Sequence, residues 1–355
     1  MNTPTPRVIL HVGSHKTGTS TLQKFLRENR PEVEGHGVRF LKGWSKAEGG
    51  EQSHNVLATH LASGAPRQNA RARACIAEGL DDLGAGTLLI SSEEFNRFVL
   101  GREGRPDIHA QTDFVRHYLA GDETYWAQRA LFIDRVAEVF SGCRVEIWAT
   151  LRRPDNFCMS MYQQTVRNRA YVGTMNDFAA SNFALFQYRR LLEQWARHFP
   201  VRVFVYEDLL RAHGDLTLAF LDALGLEALR ARAETAPRVN TASHPHVIEF
   251  LRRTNYFPLD KAALRRKLGK VASGMREWPP AKGVVAMHPD RRHAFNDRFA
   301  SDCAAIREAY AVTTPGRETL FDGEIDDERP VYPGMDQETY ERLARAVGLV
   351  DPVFP

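Results

Sequence analysis

Five short runs of apolar, largely β-branched residues recur along the chain: RVILHV (7–12), GVRFL (37–41), GTLLIS (86–91), RVEIWAT (144–150) and VRVFVY (201–206). Runs this short and this uniformly apolar predict strands buried on both faces. Their alternation with helical spacing predicts βαβ units, and hence an α/β fold with a parallel sheet flanked by helices. Helices are expected from about Thr19, over roughly 126–140, from near Asn156, and over about 177–198. Ligands in such sheets bind beyond the C-terminal ends of the strands. Polar and small residues at those ends are therefore where chemistry is sought.

Two stretches interrupt the alternation. Residues 42–85 contain EQSHNVLATHLASG and the Arg/Ala-rich RQNARARACIAEGL, and residues 100–125 are polar with scattered glycines. Insertions at the binding edge serve as lids or substrate loops, or as ordinary surface loops, and both readings stand on the pattern. Past residue 255 come the basic KAALRRKLGK (261–270), a Pro/Gly-rich connector, and helices near 289–310 and 336–347. The pattern suggests one domain over 1–355, with its core at 7–255 and a helical C-terminal region at 256–355.

Composition then narrows the function. A chain of 355 residues has ample apolar surface for a core. A net charge of +3 gives no general polyanion binder, so an anion site has to be local and nucleic acid is not an expected partner. Cys75, Cys143, Cys158 and Cys303 lie far apart with no C-x-x-C pair, which argues against a zinc site or disulfide framework and fits a reducing compartment. The N-terminus lacks a charged start followed by an apolar core, and no run approaches the ~18 apolar residues of a membrane span. The expectation is a cytoplasmic protein with no integral membrane segment and no metal.

The segment HVGSHKTGTSTLQKFL (11–26) carries the strongest chemical signal. Gly13 and Gly18 have the spacing of the strand-to-helix phosphate loop G-x-x-x-x-G-K-[ST], and Ser20 holds its Ser/Thr position. Thr19 stands where that loop has its lysine, and the cation inside the loop is Lys16 instead. A glycine turn leading into a helix presents backbone N–H groups and a positive dipole end to an anion. Thr17, Thr19, Ser20 and Thr21 add hydroxyl donors around the same point.

The displaced lysine gives this loop a family likeness. HKTGTSTL resembles the 5′-phosphosulfate loop of the sulfotransferases that use 3′-phosphoadenosine-5′-phosphosulfate (PAPS), which reads roughly P-K-[ST]-G-[TS]-[ST]. Lys16, Thr17, Gly18, Thr19, Ser20 and Thr21 match it position by position, and His15 replaces the usual proline. LRRPDNFCMSMYQQ (151–164) is similar to the same family's 3′-phosphate signature through Arg152, Pro154 and Ser160. FVYEDLL (204–210), FLDALGL (220–226) and PRVNTAS (237–243) look like further family features. Tyr206, Glu207 and Asp208 read as structural, with the aspartate as a cap; on this likeness Asn240 and Ser243 would approach the cofactor, without being assigned to the site. The resemblance covers most of 7–255; the family's R-K-G cofactor loop is not present as such. It implies a PAPS-dependent sulfotransferase of the bacterial, carbohydrate-like branch, releasing 3′,5′-ADP without a metal. Lys16 would stabilise the leaving phosphate oxygen, and Arg152 and Ser160 would hold the 3′-phosphate.

Sulfuryl transfer also needs a base for the acceptor. TLLISSEEF (87–95) offers Glu93 and Glu94 at a strand end. Ser91 and Glu94 fit an S-x-x-E capping box, which leaves Glu93 to face the cleft as base. His54 in SHNVLATHL, with His60 further on, is the alternative base. The acceptor, whether glycan, lipid or small hydroxyl compound (or an amine), is left open, as is the oligomeric state. Two rivals stand beside this assignment: a magnesium-dependent small-molecule kinase with an altered loop, and a non-catalytic nucleotide or polyanion-binding protein.

Overall fold

The structure is a computed structural model that describes residues 5–13, 17–43, 54–63, 65–96, 100, 122–181, 183–235, 243–275, 278, 284–312, 318–321, 325 and 328–349. Lys16, Asn240 and most of the 100–125 insertion lie outside the described residues.

The five apolar runs become β1 (Arg7–His11), β2 (Val38–Phe40), β3 (Thr87–Ser91), β4 (Arg144–Leu151) and β5 (Val201–Val205). A two-residue strand, β6 (Ala311–Val312), joins at the edge. Among the described residues these strands form one six-stranded sheet in the order β2-β3-β1-β4-β5-β6, and every pairing is parallel. Strand β1 is central. The chain leaves it outward toward β2, then crosses to β4 on its other side, so the topological switch point lies at the C-terminal end of β1.

The register fixes which side chains share a face. Ile9 pairs with Leu89 and Glu146, and His11 pairs with Ser91 and Trp148. Because side chains alternate, His11, Ser91, Trp148 and Thr150 all lie on the face that carries Ile9, Leu89 and Phe204. That face is covered by α1 (Thr19–Glu28) and α10 (Leu216–Leu224), with α2 (Arg30–Gly35) and α9 (Tyr206–His213) at its margins. Leu22, Phe25 and Leu26 of α1 and Phe220 of α10 are buried against it. Trp148, Phe204 and Phe220 stack there with ring centroids 5.0–5.5 Å apart. Such pairs are worth about 0.5–1.5 kcal/mol each beyond their buried area.

The 42–85 insertion is built differently from a loop. It holds α3 (His54–Ala62) and α4 (Pro66–Leu80), and the Arg/Ala-rich string buries Ala72, Cys75, Ile76 and Gly79 at helical spacing. The helix expected over 177–198 is two helices, α7 (Met175–Ser181) and α8 (Tyr188–Ala196), separated by a 3₁₀ turn at Phe183–Phe186. The remaining helices are α5 (Glu123–Val139), α6 (Pro154–Arg169), α11 (Arg230–Glu234), α12 (Pro245–Thr254), α13 (Lys261–Gly274), α14 (Pro289–Asp297), α15 (Ala300–Ala309) and α16 (Gln337–Ala346). None of the helices described is long and apolar enough to cross a membrane.

Packing divides the chain into two compact units. The first, Met1–Arg153 with Asn182–Val239 and Phe299–Asp322, contains the whole sheet. The second, Pro154–Ser181 with Asn240–Arg298 and Gly323–Pro355, is helical. Residues 256–355 fall partly in each unit. Inside the second unit, Asp155 at the start of α6 pairs with Arg292 of α14 at 2.8 Å, with both side chains buried. Asn255, at the end of α12, donates to the carbonyls of Val166 and Tyr171 at 2.9 and 3.1 Å.

Candidate anion-binding site

The loop after β1 reaches α1 at the switch point, and both of its glycines are required there. Gly18 is the residue before α1 and has φ +82°, a left-handed conformation that L side chains rarely adopt. At Gly13 a Cβ would sit 2.9 Å from His11 Nε2, 3.2 Å from Thr150 Cβ and 3.3 Å from Thr17 Oγ1. There the requirement is space. Helix α1 has no acidic residue in its first turn; the Thr21 N–H donates back to the Gly18 carbonyl at 3.0 Å, and the positive end of the helix dipole faces the loop. Thr17 and Thr19 are buried, Thr21 is half-buried and Ser20 is exposed. This is the construction an anion site needs.

Beneath the loop lies a chain of buried polar side chains. His11 Nδ1 is 2.9 Å from Ser91 Oγ, and His11 Nε2 is 3.1 Å from Thr150 Oγ1. Gln23 of α1 donates to both the carbonyl and the hydroxyl of Ser91, at 3.1 and 3.2 Å. The His11 ring packs on Phe220, centroids 4.4 Å apart. Complete burial pushes the His11 imidazole down to about 3, so it is neutral at ordinary pH. The sequence carried a signal for this cluster that composition and motif searching pass over. The apolar runs of β3, β1 and β4 reach Ser91, His11 and Thr150, hydrogen-bonding residues near their C-terminal ends.

The expected base stands next to the loop. Glu93 opens a 3₁₀ turn, Glu93–Asn96, directly after β3, and the Thr19 hydroxyl donates to its carboxylate. The two residues are 74 apart in sequence and come from different strand ends. The capping arrangement differs from the one the S-x-x-E spacing suggests. Ser91 closes the strand and faces His11, and the Ser92 hydroxyl accepts the Glu94 N–H at 3.2 Å while donating to Asn55 at 2.7 Å. His54 has both ring nitrogens turned to backbone. Nε2–H donates to the Leu41 carbonyl at 2.7 Å, and Nδ1 accepts the Ser91 N–H at 3.0 Å. A buried histidine held this way ties the end of β3 to the residue after β2.

Arg152 follows β4. Its guanidinium lies over the Tyr206 ring at 5.1 Å and 3.9 Å from the Glu207 carboxylate, which also accepts the Arg153 N–H. The Tyr188 hydroxyl donates to the Arg152 carbonyl at 2.8 Å. Tyr206 and Glu207 therefore brace the end of β4. Asp208 does not cap α9, whose N-cap is Val205 without a side-chain cap; it is buried and pairs with Arg211 at 3.6 Å. Ser160 is half-buried on α6, in the second unit, and in that same unit Ser243 accepts from Arg167 at 3.0 Å. Among the described residues no cluster of three or more His, Cys, Asp or Glu is placed to hold a metal ion.

No known family's sequence model matches the chain, and no curated protein matches it. Among solved structures it is similar to a sulfotransferase from Alicyclobacillus acidocaldarius, at 14% identity and a TM-score of 0.36, over 68% of this chain and 87% of that one. The α/β fold stands on the six-stranded parallel sheet itself.

Proposed function

We propose that the protein transfers the sulfuryl group of PAPS to an acceptor hydroxyl or amine and releases 3′,5′-ADP. The observation that carries the reading is the meeting of Thr19 and Glu93. It puts a carboxylate against a hydroxyl of the anion loop, in a loop whose sequence has its cation upstream at Lys16. In the proposed step Glu93 takes the proton from the acceptor. The acceptor oxygen or nitrogen forms the new bond to sulfur, and the bond from sulfur to the 5′-phosphate oxygen breaks. Charge accumulates on that phosphate oxygen, and Lys16 is assigned to stabilise it. The loop amides, with Thr17, Gly18, Thr19, Ser20 and Thr21, are assigned to the 5′-phosphosulfate. Arg152 and Ser160 are assigned to the 3′-phosphate on the sequence signature.

The strand-end position of Glu93 favours one second reading. A carboxylate at a strand end beside the loop is also what holds magnesium in phosphoryl transfer, although Thr19 stands where that loop has its lysine. One experiment separates the two. Purified protein is incubated with PAPS, or with ATP and magnesium, and a panel of glycan, lipid, phenol, alcohol and amine acceptors. PAPS-dependent release of 3′,5′-ADP that persists in EDTA supports sulfuryl transfer. ATP turnover that EDTA abolishes and magnesium restores supports the kinase.

A further inference from the structure

We infer that His11 is a positioning residue: its imidazole spans the ends of β3 and β4 beneath the anion loop and sets the geometry in which that loop binds. The inference rests on the anion-loop reading above but not on the identity of the reaction.

Three observations converge on it. His11 lies at the end of the strand that feeds the loop, and its two nitrogens reach the hydroxyls of the strands on either side, Ser91 and Thr150. A single imidazole therefore ties together the three strand ends that border the switch point. The described flanks of the loop also rest on it, since Gly13 has room for no Cβ between His11 Nε2, Thr150 and Thr17. Finally, the links continue into the candidate base. Ser91 is bonded by Gln23 of α1 and, through its amide, by His54 of α3, and Glu93 follows two residues later. Movement of β3 relative to β1 would displace Glu93 relative to Thr19.

Burial keeps the ring neutral, and its two nitrogens each meet a hydroxyl. One nitrogen donates and the other accepts, so two hydroxyls are held at once in fixed directions. An apolar ring would fill the volume against Phe220 but would leave Ser91 and Thr150 without that partner. An asparagine matches Nδ1 in reach and keeps one of the two links. Outer partners of this kind at metal sites change affinity by roughly 10–100-fold, and the low end of that range is expected for an anion loop.

The test is calorimetric titration of the full chain with inorganic pyrophosphate and with 3′,5′-ADP. Wild type is compared with His11→Phe, His11→Asn, Ser91→Ala and Thr150→Val, and thermal unfolding is recorded for each. The expected result is about 10-fold weaker binding of both probes in His11→Phe, with partial recovery in His11→Asn. Should His11→Phe fail to fold, Thr150→Val removes one link, and Ser91→Ala removes the other together with the Gln23 contact to that hydroxyl; each should weaken binding by a few-fold. Affinity unchanged in folded His11→Phe, or in both single-link variants, overturns the inference while leaving the loop reading intact. Wild type that binds neither probe overturns the loop reading, and this inference with it.

Discussion

Two carboxylates sit side by side at the end of β3, and their surroundings separate them. Glu93 meets Thr19 of the anion loop, whereas the amide of Glu94 is held by Ser92. If Glu93 is the base, Glu93→Gln should keep 3′,5′-ADP affinity and lose roughly 10²–10⁴ in kcat, measured once an acceptor is in hand. Glu93→Gln with near wild-type turnover would remove it from the mechanism. His11 yields a second residue-scale expectation, with a sign that follows from its burial. Its folded value lies near 3, below the 6.5 of an accessible histidine, so the unfolded chain binds this proton first as pH falls. Stability from this group is fully present above about pH 6.5 and falls by about 1.4 kcal/mol per pH unit down toward pH 3. Replacing His11 by Phe should remove that slope. Unfolding free energies for the two proteins between pH 4 and pH 7 should therefore converge toward acid, and parallel curves would contradict the neutral-imidazole assignment.

At the scale of elements, Gly18 is the hinge between loop and helix. Its φ of +82° predicts that Gly18→Ala costs roughly 1–2 kcal/mol and disturbs anion binding at the same time, both measurable by unfolding and by titration. The strand runs, both loop glycines and the position of Glu93 after a strand were legible because each is a local rule: an apolar run, a fixed spacing, a strand end. What escaped the sequence depends on partners far along the chain. Arg/Ala-rich α4 reads as a loop until Ala72, Cys75, Ile76 and Gly79 are seen to bury one stripe. Strand β6 is two residues long and exists only as an addition to β5. His54 resembles a candidate base by residue type, and its two backbone partners, Leu41 and Ser91, lie 13 and 37 residues away. The tie between α6 and α14 has the same character, since Asp155 and Arg292 are 137 residues apart. Arg292→Met would strand a buried carboxylate and should lower stability by about 3–5 kcal/mol. A loss below 1 kcal/mol by chemical denaturation would show that Asp155 finds another partner.

For the whole molecule, a net charge of +3 attracts anions weakly and without preference, so selectivity among nucleotides has to come from individual contacts. That makes the two adenosine diphosphates a sharp comparison. 3′,5′-ADP and 5′-ADP carry similar charge and the same base and sugar, and they differ in where the second phosphate is attached. A long-range field treats them alike. Under the proposed function, a guanidinium at the end of β4 would not. Arg152 is held there by Tyr206 and Glu207, so its position is set by the protein before any ligand arrives. Charge-assisted contacts of this kind are worth roughly 2–4 kcal/mol, or about 30- to 1,000-fold in affinity. Calorimetry should find 3′,5′-ADP tighter than 5′-ADP by that factor. Arg152→Gln should bring the two together mainly by weakening the first. Added salt should weaken both in parallel and leave most of the ratio, because a partly buried contact is screened less than a surface field. Equal affinities in the wild-type protein would remove PAPS as the donor. A ratio that collapses with salt while Arg152→Gln leaves it unchanged would move the selectivity away from Arg152.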